Sequence, residues 1–199
     1  MSKIKINSTK VCGIDEAVRA MRNPYDSWGK SDTVLDSGLL GTKDLILAKS
    51  LIKQGPSHRK FLRIITVWAD MVLPRYLWSH VDTYKVGVDT VSCSTMVKIL
   101  SRELTSLDFL PEVPPTIIRY LNEIIRGYHR KEMNRNDAIH VVKAVLPEGY
   151  LQKRTVKTNY ETLYAMHSDR IGHAMDGWEV ILDWIERLPN MEILICQKI

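Results

Sequence analysis

Residues 114–170 switch hydrophobic period from helix to strand and back to helix, and a chain that does so must pack helices against a sheet. Pro114 and Pro115 open an amphipathic helix with Ile117, Ile118, Leu121, Ile124 and Ile125 on one side. Asn136 and Asp137 are placed to cap a second helix over 138–145, which Pro147 and Gly149 terminate. Residues 151–157 alternate as a strand does, a helix follows over 159–170, and another over 178–186 precedes a short apolar end at 193–196.

The first half mixes the same periods. Residues 3–6 alternate as a short strand, 15–21 form a helix ended by Asn23 and Pro24, and 26–41 form a loop rich in Gly, Ser and Asp. Thr42 caps a helix over 43–53 whose apolar face is Leu45, Ile46, Ala48, Leu51 and Ile52, with Gly55 at its end. Residues 61–67 have strand composition, and the spacing turns helical from Ala69 through Trp78, interrupted at Pro74. Trp68, Leu77 and Trp78 at that spacing read as core. Residues 84–95 read as a loop or irregular strand and 96–104 as a short helix. The fold class is α+β, with a few strands and more helix. No repeat or long linker divides the chain, so one domain over 1–199 is expected.

A chain of 199 residues, 45% apolar and 26% charged, builds its core without disulfides or metal. Cys12, Cys93 and Cys196 are odd in number and widely spaced, so they read as free thiols, and no metal site is expected. The start lacks the apolar run of a signal peptide and no stretch suits a membrane span, which makes cytoplasm the expected compartment. A net charge of +5 and a pI near 9.1 favour anionic partners. The basic residues are scattered and the densest group, 126–135, alternates with His129, Glu132 and Asn134 like a solvated helix end, so nucleic acid is not the expected partner.

The glycine-rich phosphate loops, the paired-histidine metalloprotease motif and the nucleophile-elbow serine motif are all absent. What remains is a concentration of cations, aromatics and hydroxyls at 75–87, answered by a helix carrying Asn159 and Arg170, which together read as two walls of a polar cleft. Each candidate has a second reading. His80 is a ligand or a structural hydrogen-bonded histidine; Asn159 is a ligand or a helix cap. Arg170 is a ligand or a surface ion pair with Asp169 or Asp176. Residues 92–95, beginning at Ser92, are an anion-binding run of hydroxyls and amides or a plain loop.

Over 55–87 and 143–179 the residues resemble the flavin-dependent thymidylate synthases. Ser79-His80-Val81 stands where that family has Arg-His-Arg, so the histidine is kept and both arginines are replaced. Lys143-Ala-Val-Leu-Pro147 resembles Arg-x-x-Leu-Pro, Thr158-Asn159 through Leu163 resembles Thr-Val-Asn-x-x-x-Leu, and Lys53-Gln-Gly-Pro-Ser-His58 resembles Lys-x-Gly-His-x-Ser with Pro56 in place of the histidine.

The resemblance implies an α+β fold with a small antiparallel sheet packed with several helices, and a homotetramer with sites between subunits. It implies FAD and dUMP as ligands, methylenetetrahydrofolate as carbon donor, NADPH as reductant and no enzyme nucleophile. His80, Asn159 and Arg170 inherit cofactor contacts; Lys143 inherits the substrate phosphate, and Arg170 the pyrimidine. Arg75, one turn before Ser79, and Ser92 are further substrate-binding candidates. No catalytic residue is assigned. Loss of both flanking arginines leaves noncatalytic nucleotide binding or regulation on the same fold as the alternative.

Overall fold

The computed structural model describes residues 3–37, 40–191 and Ile195, so the expected apolar end at 193–196 lies outside the described residues except for Ile195. In chain order the elements are β1 (Lys5–Cys12), α1 (Ile14–Arg22), α2 (Thr42–Lys53), β2 (Thr66–Pro74), α3 (Arg75–Val81), β3 (Asp89–Ser92), α4 (Thr95–Lys98), α5 (Pro115–His129), α6 (Arg135–Val145), β4 (Leu151–Asn159), α7 (Tyr160–Arg170) and α8 (Trp178–Glu186). The strands form one small antiparallel sheet in the order β1-β2-β4-β3, so the expected α+β class holds. Among the described residues no helix is long and apolar enough to cross a membrane.

Four local expectations shift, the first being that Gly41, not Thr42, is the N-cap of α2. Residues 60–63 form a 3-10 turn and the strand lies further on, at Thr66–Pro74. Its pattern is period two: Val67, Ala69, Met71 and Leu73 are buried, while Trp68 is 37% exposed and leaves the core that was expected to hold it. Pro74 ends the strand with φ −66° and ψ 151° and serves as the N-cap of α3, where a missing amide costs neither element a hydrogen bond. Asn134, not Asn136, caps α6: its Oδ1 accepts the Asp137 amide at 3.0 Å. The helix expected over 96–104 stops at Lys98. Further along that segment the Asn122 side chain pairs with both backbone groups of Leu104, at 2.7 and 2.9 Å, and holds that residue in a non-helical link.

The chain gathers into two compact units. Of the described residues, one holds Met71–Thr83 and Val91–Thr155 together with 3–5; the other holds 6–70, Tyr84–Thr90 and those from Val156 on.

The core of the first unit is built from Ile99, Leu100, Phe109, Leu121, Ile125 and Ile139 with their neighbours, and Ile117, Ile118 and Ile124 of α5 pack at its margin. Each fully buried aliphatic side chain there contributes about 1.5 to 3 kcal/mol. Trp78 is fully buried; its Nε1 donates to the Gln152 carbonyl at 2.8 Å and the Arg154 guanidinium lies over its ring at 4.4 Å.

In the second unit the buried Arg22 donates from Nε to Asp44 Oδ1 at 2.6 Å. Asp44 also accepts from the hydroxyls of Ser31 and Thr33 at 2.6 Å each, which ties the loop after α1 to α2. Tyr160 Oη donates to the Pro189 carbonyl at 2.6 Å, and the His167 ring meets Glu186 at 2.7 Å, so α7 is fastened to α8 and to the chain beyond it.

Candidate functional site

In the second unit the tail of the polar segment, Tyr84 to Gly87, lies along α7. At the helix start Asn159 is the N-cap: its Oδ1 accepts the Thr162 amide at 2.9 Å and the Thr162 hydroxyl at 3.2 Å. The cap occupies the oxygen and leaves the Nδ2 amide as a donor. The Thr162 hydroxyl is also within 3.3 Å of the Val86 carbonyl, and Gly87, at φ +100°, sits against Asn159 and Thr162. At the helix end Arg170 Nε donates to Tyr84 Oη at 3.0 Å, and Tyr84 Oη in turn donates to Asp169 at 3.3 Å.

Arg170 forms no ion pair with Asp169 or Asp176. Its guanidinium carbon lies 5.5 Å from the Tyr84 ring centroid and 5.0 Å from that of the buried Trp178. Among the described residues no acceptor engages its Nη1 or Nη2. Burial pushes the Tyr84 phenol above its ordinary value of 10.0; the Arg170 hydrogen bond and charge oppose the rise without reversing it, and Asp169 adds to it. The phenol is therefore neutral near pH 7, able to accept from Arg170 and donate to Asp169 together.

Four candidates fall in the first unit. The Arg75 guanidinium meets Glu148 at 2.9 Å and reaches the Leu146 carbonyl at 3.5 Å, while its amide donates to the Tyr150 carbonyl at 3.1 Å. His80 is half-buried in α3, its carbonyl accepting the Thr83 hydroxyl at 2.7 Å. Ser79, where the family has an arginine, donates its hydroxyl back to the Arg75 carbonyl at 3.1 Å. Ser92 is exposed at the end of β3. Lys143 is exposed on α6 with Nζ 3.5 Å from Met96 Sδ, and among the described residues no carboxylate neutralises it.

Sequence reasoning missed two features. The aromatic brackets of Arg170 come from residues far apart along the chain, and no periodicity rule links Tyr84 to position 170. The second is a groove of about 710 Å³ in the second unit, bordered by Tyr25, Lys30, Gln54, Ser57, His58 and Lys60. Three of these, Gln54, Ser57 and His58, belong to the 53–58 motif, and that match was the available signal. Tyr25 is 87% exposed at the rim.

The fold is similar to that of solved flavin-dependent thymidylate synthases. The chain is similar over 98% of its length to thymidylate synthase X of Helicobacter pylori crystallised with FAD and dUMP, covering 97% of that chain with a TM-score of 0.75 and 16% identity. A second structure of the Helicobacter pylori enzyme with FAD and dUMP gives a TM-score of 0.74 at 16% identity, over 97% of this chain and 98% of that one. The UMP/dUMP methylase PolB of Streptomyces cacaoi, bound with 5-Br UMP, matches with a TM-score of 0.54 and 13% identity, over 84% of this chain and 75% of that one. No protein-family model and no curated protein matches the sequence. At these identities the likeness shows the fold.

Proposed function

We propose that this chain is a divergent member of the fold that binds a pyrimidine nucleotide, with methylation of dUMP to dTMP as the reaction if flavin chemistry is retained. The observation carrying this reading is that Arg170 keeps both terminal nitrogens disengaged at the end of α7, on a fold matched end to end by an enzyme crystallised with FAD and dUMP. Arg170 and the Asn159 amide, in the second unit, supply donors for base carbonyls; Lys143 of the first unit, uncompensated by any described carboxylate, is a separate candidate for holding a phosphate. The homotetramer and a cytoplasmic setting belong to the same reading.

FAD, with NADPH as reductant and methylenetetrahydrofolate as carbon donor, would supply the redox and one-carbon chemistry; this chain's residues would bind and orient. His80 in the first unit, and Asn159 and Arg170 in the second, are each proposed as a contact to FAD. A flavin diphosphate needs cations, and α3 offers Ser79 and Val81 where arginines are expected. In the second unit, and separately from α3, Lys30 and Lys60 border the 710 Å³ groove and give it positive charge. The missing arginine pair favours one second reading: a noncatalytic or regulatory protein that binds a nucleotide on the inherited fold.

The absorbance spectrum of the purified protein separates the two. Flavin bands at near-stoichiometric occupancy, with dTMP formed from dUMP, support the enzyme. A colourless protein that takes up no added FAD, yet melts at a higher temperature with dUMP, supports the noncatalytic reading. No thermal shift with any pyrimidine nucleotide overturns both.

A further inference from the structure

The Arg170 guanidinium lies beside two aromatic rings, and among the described residues no carboxylate pairs with it. The nearest acid in sequence, Asp169, accepts the hydrogen bond of Tyr84 instead of that of Arg170. Ring faces stabilise the guanidinium charge at 5.5 and 5.0 Å without using any of its in-plane N–H donors. One donor, Nε, is spent on Tyr84 at 3.0 Å, and that bond fixes the direction of the fork. The remaining donors lie on Nη1 and Nη2, which have no acceptor among the described residues. Tyr84 is also tethered apart from this contact, because Val86 and Gly87 are seated on the start of α7.

We infer that Tyr84 is the positioning residue of the nucleotide site, held by Asp169 and backed by Trp178, and that it aims the Arg170 fork at a carbonyl of a uracil base. This rests on the proposed pyrimidine-nucleotide reading. A guanidinium only donates, so a fork held toward the C4 position binds the uracil carbonyl there and rejects the amino group that cytosine presents at the same position. A guanidinium free to swing finds an acceptor on either base. Tyr84 therefore governs discrimination as well as affinity, and a purely structural tyrosine would govern neither.

The test is calorimetric titration of the full chain with dUMP and dCMP in the wild type, Tyr84→Phe, Asp169→Asn and Arg170→Ala, with side-chain nitrogen NMR of Arg170 in the unliganded proteins. Tyr84→Phe keeps the ring and loses the charge-assisted bond, so dUMP affinity falls about tenfold. The dUMP to dCMP ratio shrinks, and the Arg170 Nε proton loses its protection from exchange. Asp169→Asn, an exposed change, moves the same three readouts less and in the same direction. If the wild type binds dUMP, Arg170→Ala abolishes binding, and both Tyr84→Phe and Asp169→Asn match the wild type in affinity and ratio, the positioning inference is overturned while the nucleotide reading stands. If the wild type binds neither nucleotide, the nucleotide reading and this inference fall together.

Discussion

Gly87 and Asn159 are packed so closely that a Cβ on Gly87 would stand 2.7 Å from Asn159 Nδ2, and closer still to the Thr162 hydroxyl. The close approach joins the end of the 75–87 segment to the first turn of α7, the helix that carries Arg170. It also holds Gly87 at φ +100°, a conformation that side chains rarely adopt.

Gly87→Ala is therefore expected to destabilise the protein by about 1 to 3 kcal/mol, from backbone strain and the clash with the cap. Denaturant unfolding measures this. A melting curve superimposable on the wild type would show that 84–87 is not seated on α7.

Asp44 yields a pH prediction. Burial pushes its carboxyl up, but hydrogen bonds from Ser31, Thr33 and Arg22 and the Arg22 charge outweigh burial and hold it below the ordinary value of 3.8. A depressed folded pKa stabilises above the unfolded value and loses that contribution as pH falls through the folded one. Wild-type stability is expected to drop as pH falls below about 4. Asp44→Ala, which leaves Arg22 buried without its partner, costs about 3 to 5 kcal/mol near neutrality. Unfolding free energies of the two proteins converge in acid; a constant difference down to pH 2 contradicts the assignment.

At the alkaline end, Tyr160 is fully buried and burial raises its phenol far above the ordinary value of 10.0, with Tyr84 and Tyr150 also raised. A raised folded pKa keeps its stabilisation below the unfolded value and loses it as pH rises beyond. Stability is expected to fall above about pH 10. Tyrosinate absorbance should appear in two stages, the second coinciding with loss of helical circular dichroism. Complete ionisation of all tyrosines in a folded protein would be the contrary result.

Lys143→Ala is expected to weaken dUMP about tenfold or more, and to leave deoxyuridine unchanged, because a lysine with no acid neighbour contributes through the phosphate. Paired calorimetric titrations decide it: equal losses for nucleotide and nucleoside would move Lys143 away from the phosphate.

Much of the architecture was legible because it follows from local chemistry. The α5 stripe of Ile117, Leu121 and Ile125, the alternation of β4 and the start of α8 at Trp178 each depend on residues within a turn or two. Asn159 was legible as a cap or a ligand; the geometry supplies the cap and leaves its amide nitrogen open. The strand at Thr66–Pro74 is not legible from spacing because Trp68, Leu77 and Trp78 imitate helical spacing across Pro74, and only burial of Val67, Ala69, Met71 and Leu73 on one face reveals period two.

The sequence by itself determined the α+β class and most of the helices, and it offered Lys143, Asn159 and Arg170 as candidate ligands. Tertiary structure alone decided which of those groups are already occupied. Arg75 is drawn into an ion pair with Glu148, while Arg170 is bracketed by Tyr84 and Trp178 with its terminal donors left over. Local propensity is a property of neighbours in sequence, whereas hydrogen-bond satisfaction depends on partners brought from distant positions, and a distant partner decides whether a side chain holds the fold or remains open to a ligand.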